Sequence, residues 1–198
     1  MKSKKWTLIL TSLTALTLMT ACGQSTTKSS TTAAADTTAI TTSAKNSQSS
    51  YFTEKDYDTS YDESTASKIE LSGSSVSVSG DGVTVSGSTV TISKAGTYVI
   101  SGQSDGVQIK IAADKSDDVK LVLKGATMTN TDAAISATSA GYVYLTLAEG
   151  TTNSLSDSSS NSDEKANAAL FSKVDLTING SGTLTVDSKK SNACLLYT

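Results

Sequence analysis

The chain contains no arginine, no histidine and no proline, and its one tryptophan is Trp6. Without histidine there is no Ser-His or Cys-His nucleophile pair, and no His-ligated zinc or iron centre. Three of the 16 basic residues, all lysine, and none of the 19 acidic ones lie in the first 21 residues. The remainder therefore carries 13 lysines against 19 acids, a net charge of −6. An acidic, arginine-free surface repels a phosphate backbone, so nucleic acid is excluded as a partner. Cysteine is equally sparse, with only Cys22 and Cys194.

What is present begins with a leader. Lys2, Lys4 and Lys5 precede an apolar stretch from Trp6 to Met19, interrupted only by Thr and Ser. Small residues then lead into Cys22. This is the layout of a secretory signal, and it falls short of the roughly 20 apolar residues that a membrane span needs. Met19-Thr20-Ala21-Cys22 resembles a bacterial lipobox, with Met19 in the usual leucine place and Leu18 beside it. The resemblance implies that residues 1–21 are removed and that Cys22 carries a lipid. The chain is then expected at the extracellular face of the cell membrane, lipid-anchored and monomeric. Cys194, left without a disulfide partner, is expected to act as a small buried apolar residue. Residues 22–50 are mainly Ser, Thr and Ala, too poor in large apolar groups to offset chain entropy, and read as a disordered tether. An acidic, aromatic lead-in follows over 51–68.

From Ile69 onward the pattern is strand. Val76-x-Val78, Val83-x-Val85 and Val90-x-Ile92 alternate with polar residues and are separated by Gly/Ser turns. Later strands are predicted around Ile109, Leu121, Leu145, Ile178 and Leu184. No stretch beyond the leader has a helical period of useful length. Larger units repeat: Leu121-Val-Leu, Leu145-Thr-Leu and Leu176-Thr-Ile each precede a glycine turn and a second strand. A corner motif also recurs, as Asp132-Ala-Ala-Ile, Asn167-Ala-Ala-Leu and Asn192-Ala-Cys-Leu. Short-strand units of this size predict an all-β parallel β-helix over 69–198, whose inward Val, Leu and Ile stack as ladders. The rival architecture, an antiparallel sandwich or meander, also accommodates the spacing of Val76, Val83 and Val90.

Tyr57-Asp-Thr-Ser-Tyr-Asp-Glu, the run from Ile69 to Val85, Thr91-Ile-Ser-Lys-Ala-Gly-Thr-Tyr-Val-Ile-Ser-Gly102 and Asn167-Ala-Ala-Leu-Phe-Ser-Lys-Val-Asp-Leu-Thr-Ile-Asn-Gly180 together resemble the bacterial cell-surface carbohydrate-binding domain-containing proteins. That family is associated with a right-handed, pectate-lyase-like parallel β-helix. The resemblance implies binding of extracellular polysaccharide of the cellulose or polygalacturonate type, with structural calcium and no catalytic triad. Relatives continue through further coils, whereas this sequence ends one strand into a new unit at Thr198, so an incomplete domain is expected.

Calcium needs six to eight oxygen ligands. The acid-rich stretch supplies Asp157, Asp163 and Glu164, with Asn167 and Asp175 beyond it and Asp132 at the matching corner of the preceding repeat. Stacked units bring such corners about 4.8 Å apart, so they are candidates to share Ca2+. Tyr142 and Tyr144 alternate with Val143 and Leu145, which turns them away from the apolar ladder and makes them a candidate sugar platform. Lys110, Lys120 and Lys124 point outward by the same alternation. The competing readings are a calcium-dependent polysaccharide lyase, in which a lysine base abstracts the proton beside a uronate carboxylate, and a structural adhesin or scaffold.

Overall fold

The computed structural model describes residues 52–160, 165–190 and 192–197. Cys22 and the signal and tether segments lie outside the described residues, as do Asp163 and Glu164. The described chain is all-β apart from one helical turn, α1 (Glu54–Tyr57), too short to leave a periodic signal in sequence.

The first two strands, β1 (Ser67–Gly73) and β2 (Ser75–Ser79), pair antiparallel, with Ser72 opposite Ser75. The two-residue turn between them begins at Gly73, whose φ of +60° suits glycine and few other residues. A second hairpin joins β3 (Val83–Ser86) to β4 (Thr89–Ile92) around Gly87, with φ of +58°. Beyond it the strands pair in parallel: β5 (Gly96–Asp105), β6 (Gln108–Ala112), β7 (Asp118–Asn130), β8 (Ile135–Ser139) and β9 (Tyr142–Leu147). The same holds for β10 (Thr152–Asp157), β11 (Ala168–Ser172), β12 (Leu176–Gly180), β13 (Thr183–Asp187) and β14 (Asn192–Leu196).

Among the described residues these strands form two mixed sheets. Sheet A runs β12-β9-β7-β5-β1-β2, with β10 and β13 attached through β7, and sheet B runs β14-β11-β8-β6-β4-β3. The right-handed parallel β-helix is therefore overturned. The glycine turns at 73 and 87 fold the chain straight back on itself, so both sheets contain antiparallel pairs, and the sheets do not close into one column. The Val76–Ile92 region follows the hairpin pattern that its seven-residue spacing also allowed.

Period-two patterning places the core between the sheets. In sheet B the in-register residues Val90, Ile109, Ile135 and Leu170 are all buried, and in sheet A Ile69, Ile100 and Leu123 are likewise in register and fully buried. Each such side chain contributes roughly 1.5–3 kcal/mol relative to exposure. The next position after Leu170 is Cys194, which is exposed because β14 is an edge strand of sheet B; the expectation of a buried thiol fails there. The repeats pair as read between Leu121 and Leu145, but Leu145 lies opposite Ile178 rather than Leu176. The motif read as a corner instead leads directly into strands β8, β11 and β14.

Two further positions hold the backbone. Gly102 (φ +87°) sits at a register shift where β5 meets β7, and a Cβ there would collide with the Leu71 carbonyl oxygen. Asn153 is fully buried. Its Oδ1 accepts from the Gly125 and Ala126 amides at 3.0 and 2.9 Å, while its Nδ2 donates to Thr151 Oγ1 and the Thr183 carbonyl.

Candidate functional site

The outer face of sheet B carries an open polar groove of about 240 Å³. Strand alternation explains its make-up. Ile109 and Ile111 point inward, so Gln108 and Lys110 point outward, and Lys110 lies in register with Ser136 and, one strand further, Phe171. Phe171 is only 1% exposed, packed with Ala133 and Ala166 and met edge-on by Tyr197 at 5.9 Å. The Lys173 ammonium lies 5.8 Å from the centre of that ring, within cation–π range. Gln108 donates to the Ala133 carbonyl at 2.8 Å and Thr138 to the Ile111 carbonyl at 3.0 Å, which fixes the groove wall. Lys165 completes the cationic rim.

Asp132 lies among these lysines. Its backbone amide is held by Asn130 Oδ1 at 2.8 Å, whereas its own buried Oδ1 has no hydrogen-bond donor among the described residues. Lys110 and Lys173 take part in none of the ion pairs found among the described residues. A groove that carries the Lys110 and Lys173 ammonium groups, a buried acceptor and hydroxyls matches a polar ligand that carries both negative charge and hydroxyl donors.

The outer face of sheet A is arranged differently. Tyr142 and Tyr144 do turn away from the core, and their rings stack 4.6 Å apart at 22°. They are not open to solvent: Tyr144 is only 6% exposed and Tyr142 half-buried, because the lead-in crosses over them. Asp56 is the buried anchor of that crossing. Tyr142 donates its hydroxyl to Asp56 Oδ1 at 3.2 Å and Thr177 donates to the same oxygen, while the Thr53 amide and hydroxyl donate to Oδ2 at 2.7 and 2.9 Å. Those bonds, led by the one from Thr177, lower the Asp56 carboxyl to about 2. Asp58 is also lowered to about 2, first by the Ser60 hydroxyl and next by Lys120. Burial pushes the Tyr142 and Tyr144 phenols upward. Lys120 and Lys124, which point outward as alternation requires, are taken up by Asp58 at 2.9 Å and Glu63 at 2.7 Å.

Residues 86–195 match the family of carbohydrate-binding domain-containing proteins. The chain belongs to this family. A relative from Acetivibrio thermocellus, described as a carbohydrate-binding domain-containing protein, is 38% identical over 105 residues, covering 50% of this chain and 37% of the relative. The solved structure of a polysaccharide lyase-like protein from C. thermocellum, a gadolinium derivative, superposes with a TM-score of 0.61 at 36% identity. It covers 64% of this chain and 54% of the neighbour, so this chain spans little over half of that structure and less of the relative. All of the groove residues, from Gln108 to Lys173, fall inside the family match, and the lead-in falls outside it.

Four of the six candidate calcium ligands, Asp132, Asp157, Asn167 and Asp175, lie among the described residues, each in its own local setting. Asp157 is 1% exposed and spends its two oxygens on the Ser188 hydroxyl and Lys189 amide, at 2.9 and 2.7 Å. It stands in register with Asn130, whose Nδ2 donates in turn to the Gly106 carbonyl, so it belongs to a structural corner. Asn167 Oδ1 accepts from Asn192 Nδ2 at 3.3 Å, a side-chain contact between the starts of β11 and β14. Asp175 is exposed and lends its carbonyl to the Val143 amide, while Asp132 faces the sheet B groove. Among the described residues no three acids, cysteines or histidines gather to hold a metal. Sequence reasoning missed the groove. Lys110 was visible as an outward residue and Asp132 as a calcium candidate, but both are distant in sequence from Phe171 and Lys173 and meet them only through strand register.

Proposed function

We propose that this protein binds extracellular polysaccharide of the cellulose or polygalacturonate type in the sheet B groove, without cleaving it. Its carrying observation is that the lysine-lined groove lies wholly within the stretch shared with the carbohydrate-binding family. Lys110 and Lys173 would meet the carboxylates of polygalacturonate or, in cellulose, the hydroxyl oxygens, and Asp132 Oδ1 would accept from a sugar hydroxyl. Family relatives are described as carbohydrate-binding and the structural neighbour as polysaccharide lyase-like, which supports a polymeric sugar as ligand. Lipid attachment at Cys22 would hold the domain at the extracellular face of the membrane.

Calcium belongs to the proposal as a structural ion. Of the acids read as its ligands, Asp132 lines the groove, whereas Asp163 and Glu164 lie outside the described residues. Sedimentation with insoluble cellulose and with calcium-free polygalacturonate gel, with and without EDTA, tests binding and metal together. Retention by neither polymer would remove the proposal. The lyase reading, favoured by the neighbour's description, predicts ultraviolet-absorbing unsaturated uronates on incubation with polygalacturonate.

A further inference from the structure

Residues 53–60 are held on sheet A by hydrogen bonds and ion pairs, and apolar packing begins only at Tyr61, which rests with Ala66 on Val99, Val122 and Ala148. Phe52 and Tyr57 contact each other and remain 55% and 51% exposed. Beneath the segment lie Lys120, the Tyr142–Tyr144 pair, Thr177 and Asn179: a cation, aromatic rings, a hydroxyl and an amide. That set offers ring faces and polar groups of the kind that line ligand sites. The segment occupies those groups as a ligand would. The Asp56 carboxylate takes the Tyr142 and Thr177 hydroxyls, the Asp56 carbonyl takes Asn179, and the Asp58 carbonyl takes Lys120.

The fit is incomplete. Thr146, 1% exposed, and its register partner Asn179 present Oγ1 and Oδ1 atoms that no donor among the described residues meets. Clefts of about 340 and 540 Å³ border the segment, at Thr59–Tyr61 and beside α1. A permanent interior contact closes such gaps and satisfies such atoms. The covered residues also lie within the family match, whereas the covering segment precedes it.

We propose that this face of sheet A is a second polysaccharide-binding surface, occupied in the resting chain by its own acidic segment 53–60, which an acidic polysaccharide displaces. The proposal rests on the polysaccharide reading above. Its test is the affinity of the full chain for soluble polygalacturonate, compared with the Asp56→Ala/Asp58→Ala variant on both the native and the Lys110→Ala/Lys173→Ala background. Freeing the surface raises the binding-competent fraction, so about fivefold tighter binding is expected on each background. Hydrogen exchange of the native chain supplies a second readout independent of the variant's folding: amides of 53–60 should lose protection when polygalacturonate is added. Native binding with neither change overturns the second surface and leaves the polysaccharide reading standing. No binding by native chain or variant overturns both. Binding by the variant alone supports the covered surface and removes the groove.

Discussion

At the residue scale, chemistry and architecture separate cleanly. Lys110 and Lys173 serve no ion pair among the described residues, so replacing them should cost little stability and much binding. Each charge-assisted contact to a carboxylate is worth about 1.5–3 kcal/mol, and Lys110→Ala/Lys173→Ala should weaken polygalacturonate binding by roughly tenfold or more, with an unchanged melting temperature. Titration calorimetry with oligogalacturonate would show it, and an unchanged affinity would place the ligand elsewhere. Asn153 is the opposite case. Truncating it leaves the Gly125 and Ala126 amides unpaired inside the protein. Asn153→Ala should destabilise the fold by about 2–4 kcal/mol, read by denaturant unfolding, without altering the groove chemistry. Nothing in the local sequence marks Asn153 apart from other asparagines, because its partners come from strands that precede and follow it in the chain.

At the element scale, hairpins and close approaches set the sheet geometry. Gly102→Ala combines an unfavourable φ with a collision against the Leu71 carbonyl, on the strand that joins β1 to β7. A loss of about 2–3 kcal/mol is expected, detectable as a lower thermal midpoint. The lead-in responds to acid. Asp56 and Asp58 titrate at about 2 on the folded chain against an ordinary 3.8, so docking favours their ionised forms. A depressed folded value supplies stability above the ordinary carboxylate range, and that stability drains away as pH falls from about 4 toward 2. Amide exchange over 53–60, corrected for intrinsic rates, should therefore accelerate in that window while the core strands stay protected. Equal protection at pH 2 and 6 would show that the carboxylates do not hold the segment. Strand positions were legible in sequence because period-two alternation is local. The lead-in's destination was not, since Asp56, Tyr142 and Thr177 share no local pattern.

At the scale of the whole molecule, the two outer faces differ in cover. Sheet B presents an open groove, and sheet A carries a tyrosine and lysine surface crossed by the chain itself. If calcium is structural, EDTA should lower the thermal midpoint and weaken retention on polygalacturonate together. Weakened retention at an unchanged midpoint would instead place the ion between protein and sugar.

By itself the amino-acid sequence determined the all-β class, most of the inward Val, Leu and Ile positions (Val85 and Ile178 are exposed), the exclusion of histidine chemistry and the resemblance to a carbohydrate-binding family, since each depends on composition or on neighbours a few residues apart. Only the tertiary structure decided that two glycine turns fold strands back into mixed sheets, that Asp157 serves a corner, and that Tyr142 and Tyr144 lie covered while Lys110, Asp132 and Lys173 share an open groove. Those outcomes depend on the register of strands about 25–35 residues apart, and register is set by packing across the whole core, where a shift of one residue turns every side chain to the other face.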